Sequence, residues 1–324
     1  MKNVDALLVA WKQDYHAQAV KARLGDLGKT AVILDAADFP IHSSLTCQFD
    51  DNGPQLVFVD RFDGPLKVGA NTGIWWRRPA KHDVADVFFH PKLKSFAESE
   101  ARHALLGALR AVSSHFLNLP ERSTAAALKP FQLALALKAG LRIPKTAITN
   151  RQEDVLAQEK IWGPLVYKTL GGTDFGFFET RKFDAAEDGH DLRMLSTCPT
   201  IFQEYVEGDY DVRVTVVGRK CFPAKVDFMS GQHPVDSRID PKNFIAFELP
   251  KEIERSIFIL MDLAGLNYAA IDMRFSERKG FTFFELNPEG QYLWIERHTG
   301  HAISKAIAAF LAGPPELRNT NDLP

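Results

Sequence analysis

The sequence has little cysteine, no long apolar run and no excess of charge of one sign. Its three cysteines, Cys47, Cys198 and Cys221, are an odd number without the spacing of a metal site. This excludes a small secreted domain held together by disulfides, and we expect reduced thiols in a cytoplasmic protein. The longest apolar run near the start, over 6–11, is broken by Lys12. It is too short for a signal peptide or a membrane span, so no membrane partner is expected.

The two signs of charge nearly cancel. Lysine and arginine number 39 against 41 aspartates and glutamates, which gives a formal net charge of −2. A protein whose affinity for nucleic acid rests on a basic surface is therefore excluded, and no nucleic-acid partner is expected. Apolar residues make up 45% of the chain and charged residues 25%, the usual proportions of a globular protein. A chain of 324 residues is long enough for about two domains.

Apolar periodicity in the first third of the chain alternates between strand and helix. The predicted strands cover 5–11, 30–36 and 73–79, and the predicted helices cover 14–28 and 93–112. A strand, a helix and a second strand in succession are typical of a parallel sheet. We therefore predict an N-terminal α/β domain over 1–118.

The rest of the chain is richer in strands. A helix is predicted from the capping residue Ser123 to Gly140. Further strands are predicted over 164–170, 175–180, 200–206, 210–218, 220–228, 267–275 and 281–288, and helices over 251–265 and 301–313. The predicted fold class is α/β, with an α+β second region over 119–313. The tail 314–324 has no periodicity, and we expect it to be mobile.

Two apolar runs that flank the turn 276–280 predict a β-hairpin. A turn centred after Arg278 places Asp272 directly opposite Glu285. Asn287, two residues further on, shares the face of Glu285. Facing carboxylates repel each other unless a cation joins them. Two carboxylates and an amide oxygen suit Mg²⁺, whereas an edge hairpin with solvated acids is the simpler alternative.

A glycine-rich stretch follows the predicted strand that ends at Lys168. It contains Gly171, Gly172 and Gly176, and glycines let backbone N–H groups approach phosphate oxygens closely, although a plain β-turn has the same composition. The chain has no GxxxxGK[ST] motif, which excludes a P-loop, and no GxGxxG opens a helix after the first strand. Lys129, on a predicted amphipathic helix, fits either a phosphate contact or a solvated helix face.

Acidic and basic side chains follow one another over 203–213. Asp211 and Arg213 are two residues apart and therefore share one face of a strand. A carboxylate there could bind ribose hydroxyls, and a guanidinium could bind a phosphate or a carboxylate. A cross-strand ion pair on the sheet surface explains the same pattern. Arg238, in the loop that follows the next strand, is either a phosphate clamp or a surface residue.

The motif WWRRP at 75–79 also has two interpretations. Trp75 and Trp76 lie on opposite faces of a strand and fit simple packing in the core. In that case Arg77 and Arg78 are solvated. Alternatively, one of these arginines contacts substrate or a neighbouring domain.

Taken in order, these features resemble an ATP-grasp ligase. They are the helix lysine Lys129, the strand lysine Lys168 with its glycines, the segments QEYV (203–206) and DVR (211–213), and the final Asp272…Glu285-x-Asn287 hairpin. The resemblance covers about 118–313, and within it 140–290 is similar to the ribosomal-protein glutamate ligases. The segments 73–79 and 117–150 resemble the microviridin-type peptide maturases, or graspetide synthetases. That resemblance implies an ATP-grasp fold preceded by a pre-ATP-grasp domain.

The resemblance also implies a role for each candidate residue. The nucleotide phosphates would contact Lys129, Lys168, Gly171 and Gly172. The adenine site would be lined, largely by backbone, by Gln203, Glu204, Tyr205 and Val206, and the ribose would be held by Glu207 or Asp211. The γ-phosphate and the substrate carboxylate would be engaged by Lys168, Arg213 and Arg238, and Mg²⁺ would be bound by Asp272, Glu285 and Asn287.

The implied activity is ATP-dependent ligation within a ribosomal precursor peptide. Acidic side chains become acyl phosphates and are joined to Ser or Thr hydroxyls or Lys amines, so the expected partner is a leader followed by an acidic core. A cytoplasmic homodimer is expected. The segment 181–199, expected as an exposed helix, is a leader-docking candidate or an ordinary surface connection. Two alternatives stay open: a glutamate or amino-acid ligase acting on a protein terminus or small molecule, and an ATP-binding regulatory module without catalysis.

Overall fold

A computed structural model of the protein describes residues 1–84, 90–171, 180–188, 191–226 and 244–313. It confirms a mixed α/β fold whose described residues form two compact units. The first unit contains Met1–Pro120, Gln291–Leu293 and the residues from Ala302 onward. The second contains Glu121–Gly290 and Trp294–His301. Within the described residues, no helix combines the length and the apolar composition that a membrane crossing requires.

The first unit is built on a three-stranded parallel sheet. Its elements are β1 (Lys2–Asn3), β2 (Ala6–Val9), α1 (Tyr15–Asp26), β3 (Ala31–Leu34), β4 (Ser44–Asp50), β5 (Gly53–Asp60), β6 (Gly64–Val68), β7 (Gly73–Trp76), α2 (Pro91–Val112) and, from the end of the chain, α9 (Ile303–Ala312). The parallel sheet has the order β3-β2-β7, as the strand–helix–strand pattern predicts. Every residue of β2 is buried, and Asp14 caps α1 by accepting a hydrogen bond from the N–H of Ala17.

A second sheet in this unit, of order β1-β6-β5-β4, is absent from the sequence-based prediction. Its strands are antiparallel except for the parallel pair β1–β6. The exposed β4 has weak alternation of apolar and polar residues, because only one face of this sheet contributes to the core. Leu56 and Phe58 of that face pack in one cluster with Leu105 of α2.

The second unit contains two more sheets. Its elements are α3 (Pro120–Ala126, which begins at the boundary), α4 (Lys129–Lys138), β8 (Thr146–Thr149), α5 (Gln152–Trp162), β9 (Leu165–Lys168), β10 (Arg181–Lys182), α6 (Ala185–Asp188), β11 (Thr200–Glu204), β12 (Tyr210–Val217), β13 (Lys220–Val226), β14 (Ile245–Ala246), α7 (Lys251–Ala264), β15 (Tyr268–Ser276), β16 (Gly280–Asn287) and α8 (Leu293–Thr299). The sheets have the orders β10-β9-β11-β8 and β14-β13-β12-β15-β16, and all their pairings are antiparallel. Helices α4 and α7 pack on the five-stranded sheet over a shared apolar core.

The single helix predicted from Ser123 to Gly140 is wrong, because the structure has two helices there. The first, α3, ends at Ala126, and Leu128 is extended before α4 begins at Lys129. Pro130 explains the break: its ring restrains the preceding backbone, and it lacks an N–H, so it is accommodated only in the first turn of a helix. The break makes Lys129 the first residue of α4.

The exposed helix predicted over 181–199 is also wrong. The described part of this segment consists of the two-residue strand β10, the short helix α6 and a 3₁₀ helix over Asp191–Ser196. Phe183, Leu192 and Leu195 are buried and pack with Val155 of α5 in a small apolar cluster. The segment is therefore partly a core element. The strand predicted over 175–180 lies outside the described residues except for its last position.

Of the two interpretations of the motif WWRRP, the structure contradicts the one in which Arg77 is solvated. Trp75 and Trp76 are buried as expected, but Arg77 is also buried, with only 1% of its surface exposed. Its Nε lies 3.3 Å from a carboxylate oxygen of Asp14, and its guanidinium lies over the ring of Trp75. The pairing with Asp14 compensates the buried charge. Arg78 is exposed.

Candidate active site

The second unit contains an open pocket between its two sheets. Its lining includes side chains from β9, β11, β12, β15 and β16. Among them are nine of the residues singled out from the sequence: Lys168, Gln203, Glu204, Tyr205, Val206, Asp211, Arg213, Asp272 and Glu285. A concave pocket with converging polar groups is the usual form of a small-molecule site.

Four other candidates lie within the described residues but not in the pocket lining: Lys129, Gly171, Glu207 and Asn287. Of these, Gly171 and Glu207 are exposed. Gly172 and Arg238 lie outside the described residues, so their predicted roles stay predictions.

The hairpin β15–β16 places Asp272 directly opposite Glu285, as predicted. The turn, however, is one residue shorter than the predicted register requires, since β15 ends at Ser276 and β16 begins at Gly280. A β-bulge beside Asp272 leaves Phe284 without a partner in the ladder, because Met273 pairs with Phe283. This extra residue restores the predicted register at the acids.

Each of the facing acids contacts a base. The Nη1 of Arg213 donates to both carboxylate oxygens of Asp272, at 2.8 and 2.9 Å. The ammonium of Lys129 donates to Glu285 at 3.0 Å. All four side chains are at most about one-fifth exposed, so these pairs are screened less than surface ion pairs. The bases offset the repulsion between the acids.

Helix α4 brings Lys129 to Glu285 through a residue that the sequence analysis did not single out. The buried amide of Gln132 both donates to the carbonyl of Leu286, at 2.7 Å, and accepts from its N–H, at 3.0 Å. Gln132 lies three residues after Lys129 and therefore close to the same helix face. Its two hydrogen bonds fix α4 on β16 with Lys129 beside the acid pair. A buried polar residue inside an apolar helix pattern is the signal that marks this position.

The donor set at the acid pair fits a hard divalent cation. Asp272 and Glu285 face each other in the pocket, and oxygen is the ligand that Mg²⁺ prefers. Asn287 is positioned on the same strand, opposite Ala270, and its Oδ1 accepts a hydrogen bond from the N–H of Glu289 at 2.9 Å. In the part of the chain that the structure describes, no cluster of three or more His, Cys, Asp or Glu side chains is arranged to hold a metal.

Another part of the pocket lining is the segment Gln203–Val206, here called the hinge. The buried Gln203 donates to the hydroxyl of Thr146 at 3.0 Å. Glu204 accepts from the N–H of Lys145, and the carboxylate lies 3.7 Å from Lys279. These contacts connect the hinge to both sheets of the unit.

Asp211 and the buried Arg274 form an ion pair next to the hinge. The Nε and Nη2 of Arg274 donate to the two carboxylate oxygens of Asp211, at 2.6 and 3.0 Å, and Nη1 donates to the carbonyl of Val206 at 3.0 Å. The cross-strand pairing considered from the sequence is therefore present for both residues, largely shielded from solvent: Asp211 pairs with Arg274, and Arg213 pairs with Asp272. Glu207, the other ribose candidate, is exposed.

Aromatic side chains that the sequence analysis did not assign to the site also line the pocket. The Arg213 guanidinium lies 5.6 Å from the ring centre of Trp294, and Trp294 packs edge-on against Phe244 at 4.5 Å. Gly290 lies beside them, where a Cβ would meet the methyl group of Ala270 at 2.3 Å and Arg213 Nη2 at 3.3 Å. Glycine at this position leaves room for the arginine. Trp294 and Phe244 belong to no local sequence motif that would mark them as residues of the site.

Comparisons with known proteins bear on the fold and on the class of enzyme. Residues 5–123 match the family model described as the MvdD pre-ATP grasp domain. No curated protein matches the sequence. Among solved structures, a RiPP-associated ATP-grasp ligase from Chryseobacterium gregarium, in complex with ADP and a leader and core peptide, is 25% identical with a TM-score of 0.86, over 97% of this chain and 98% of that one.

Two further structures are similar over nearly the whole chain. The macrocyclase MdnC of Microcystis aeruginosa MRC, bound with the precursor peptide MdnA, is 25% identical with a TM-score of 0.82, over 96% of this chain and 99% of that one. The ATP-grasp ligase PsnB, complexed with a precursor peptide and AMPPNP, is 25% identical with a TM-score of 0.76, over 96% and 98%. The fold and the site therefore define an ATP-grasp ligase. Within that class, the chain is similar to the RiPP-associated ligases and macrocyclases called graspetide synthetases.

Proposed function

We propose that this enzyme uses ATP to join acidic side chains of a ribosomal precursor peptide to Ser or Thr hydroxyls or Lys amines of the same peptide. The observation that carries the proposal is the pair of facing acids, Asp272 and Glu285, each in contact with a base and placed in one pocket with the hinge. The peptide-bound state of the similar ligases supports the choice of substrate.

The nucleotide would lie with its base at the hinge and its phosphates toward Lys168, Lys129 and the acids. In this pose Lys168 and Arg213 would face the γ-phosphate and the substrate carboxylate, with Gly171, Gly172 and Arg238 as further candidates. Positive charge at that point stabilises the charge that develops on the transferred group. Ribose would be held by Glu207 or Asp211.

Mg²⁺ would be held by Asp272, Glu285 and Asn287. When bound, it supplies positive charge to the phosphate oxygens at the transferred group. Lys129 and Arg213 already lie against the two carboxylates, so the same two side chains orient the ligands that the cation would use.

The reaction proceeds in two displacements. A carboxylate oxygen of the peptide attacks the γ-phosphorus, the bond to the bridging β,γ-oxygen breaks, and ADP leaves. A hydroxyl or amine of the peptide then attacks the acyl carbon, loses its proton, and inorganic phosphate leaves with the former carboxylate oxygen. Holding the two peptide groups together contributes up to about 7–11 kcal/mol of the barrier reduction.

Three further features belong to this proposal. The enzyme would act in the cytoplasm, as a homodimer, and would bind the leader of its precursor as well as the acidic core. The N-terminal pre-ATP-grasp domain would extend over 1–118 and the ATP-grasp domain over 119–313. The segment 181–199 remains a leader-docking candidate, although its buried residues restrict docking to the exposed side chains.

The test is ATP turnover with Mg²⁺, with and without candidate precursor peptides, followed by mass spectrometry of the peptide. The expected result is loss of about one water per bond formed, in step with phosphate release, as condensation through an acyl phosphate requires. A gain equal to an added amino acid would favour the glutamate or amino-acid ligase instead. ATP binding without either product would favour a regulatory module.

A further inference from the structure

We propose that Arg274 is a positioning residue that fixes the hinge of the nucleotide site and thereby sets the affinity for the base end of ATP. The inference rests on the proposed function, because it takes the hinge as the adenine site. No sequence motif assigned a role to Arg274. It lies on β15, two residues beyond the acid Asp272.

The guanidinium of Arg274 joins the hinge to the five-stranded sheet. Two of its nitrogens bind the carboxylate of Asp211 on β12, and the third donates to the backbone carbonyl of Val206. The planar fork of arginine makes these three contacts at once, whereas a lysine ammonium is a point charge on a flexible stem. Arg274 is only 4% exposed, so water cannot readily replace a lost contact.

The chain after the hinge is shaped around this side chain. A Cβ on Gly208 would lie 2.5 Å from Cγ of Arg274 and 2.6 Å from the carbonyl oxygen of Phe275. Only glycine allows so close an approach. The next residue, Asp209, donates its N–H to the same carbonyl of Phe275 at 2.8 Å, and its carboxylate accepts from the N–H of Glu277 at 2.9 Å. The hinge is therefore tied to β15 on both sides of Gly208.

The hinge and the acid pair are contacted by different bases. Arg274 contacts the hinge and Asp211, whereas the acid pair is contacted by Arg213 and Lys129. A change at Arg274 should therefore weaken binding of a ligand that reaches the hinge and spare one that occupies only the phosphate end. A residue whose only role is to stabilise the fold would change the affinities for both ligands or for neither.

The experiment compares ATP with inorganic tripolyphosphate, each titrated calorimetrically into the full chain with Mg²⁺. For Arg274→Lys we expect an ATP affinity about tenfold lower, which corresponds to the loss of one charge-assisted hydrogen bond, and a tripolyphosphate affinity changed by less than about twofold. At saturating ATP, kcat should be nearly retained while KM for ATP rises.

Gly208→Ala, which displaces Arg274 without changing charge, should show the same selectivity. Arg219→Lys is the matched control, because Arg219 pairs with Asp262 at the surface outside the pocket, and it should change neither affinity.

Equal losses for the two ligands, or an unchanged ATP affinity in both variants, would overturn the proposal. If tripolyphosphate binds the wild type too weakly to titrate, the kinetic constants of the Arg274→Lys variant decide instead. A reduction of kcat as large as that of kcat/KM would contradict a role confined to the hinge. Wild-type protein that binds ATP but never ligates a peptide would contradict the proposed function and leave this comparison valid.

Discussion

At the scale of single residues, the site consists of acids that are each matched to a base. Removing one member of a buried pair leaves the other charge uncompensated, which costs more than the pair itself contributes. The acids Asp272, Asp211 and Glu285 are paired with Arg213, Arg274 and Lys129 respectively. The consequences of mutation therefore depend on where each base lies in the pocket.

Arg213 is expected to serve the chemical step more than nucleotide binding. We expect Arg213→Ala to lower kcat on the order of a hundredfold, because it removes positive charge at the transferred group, and to change the affinity for ATP much less. Single-turnover kinetics and calorimetry on the same variant separate the two effects. Losses of equal size in kcat and in ATP affinity would restrict Arg213 to a nucleotide-binding role.

Cys221 should be the least reactive thiol among the described cysteines. Burial, and then the nearby carboxylate of Glu254, raise the pKa of Cys221 to about 12 against an ordinary 9.0, while Lys251 lowers it slightly. A raised pKa keeps the thiol protonated, so its thiolate fraction at pH 8 falls on the order of a thousandfold.

Titration with a chromogenic disulfide at pH 8 should therefore find a fast thiol at the exposed Cys198 and a slow one at Cys221. The fast phase should disappear in Cys198→Ser. Its persistence in that variant would contradict the assignment.

At the scale of secondary-structure elements, two glycines show how context decides the effect of the same substitution. Gly107 lies exposed inside α2 with open space around it, whereas a Cβ on Gly73 would lie 2.3 Å from the carbonyl oxygen of Leu311 and 2.9 Å from the ring of His115. Glycine lowers helix stability by exposing and loosening the backbone, but at Gly73 it permits close packing of α9 on β7.

We expect Gly107→Ala to stabilise the protein by about 0.5–1 kcal/mol and Gly73→Ala to destabilise it by about 1–3 kcal/mol. Thermal denaturation of the two variants beside the wild type shows whether each substitution raises or lowers the stability. A shift in the same direction for both variants would contradict the packing described at Gly73.

The strongly periodic elements were predictable from the sequence. Helices such as α2 and α7 and the strands β2, β12 and β15 lie close to their predicted positions, because a buried stripe or a buried strand leaves a clear apolar pattern. The strands β4, β5 and β6 were missed, since one face of their sheet is exposed and their alternation is diluted by polar and turn residues.

The site residues, too, were predictable only where a local sequence pattern marks them. Asp272 and Glu285 could be paired from the sequence, because the two strands and their turn are recognisable and alternation along a strand fixes which residues share a face. Their register was right only because the bulge at Phe284 offsets the shorter turn, and no pattern in the sequence signals that bulge. Arg274 and Trp294 depend on contacts between distant segments, which a single sequence does not encode locally, whereas Gln132 is marked only as a polar residue inside an apolar helix pattern.

At the scale of the whole molecule, the pocket and all its lining residues belong to the second unit. Nucleotide binding should therefore slow backbone hydrogen exchange first in β9, β11 and β16, whose residues line the pocket, and much less in β4 and β5 of the first unit. Hydrogen exchange with and without ADP and Mg²⁺ measures this by peptide. Protection confined to β4 and β5 would place the nucleotide elsewhere.

The pairing of acids and bases also affects how a ligand first meets the enzyme. Among the described residues, each of the four acids that line the pocket lies within 4 Å of a base: Glu204 of Lys279, Asp211 of Arg274, Asp272 of Arg213 and Glu285 of Lys129. Their fields cancel at distances beyond the pocket, so a polyanion approaching from solution gains little long-range attraction. Encounter with the nucleotide should then occur at an ordinary diffusional rate that depends weakly on ionic strength, and selectivity should arise only after contact, in the rate of dissociation.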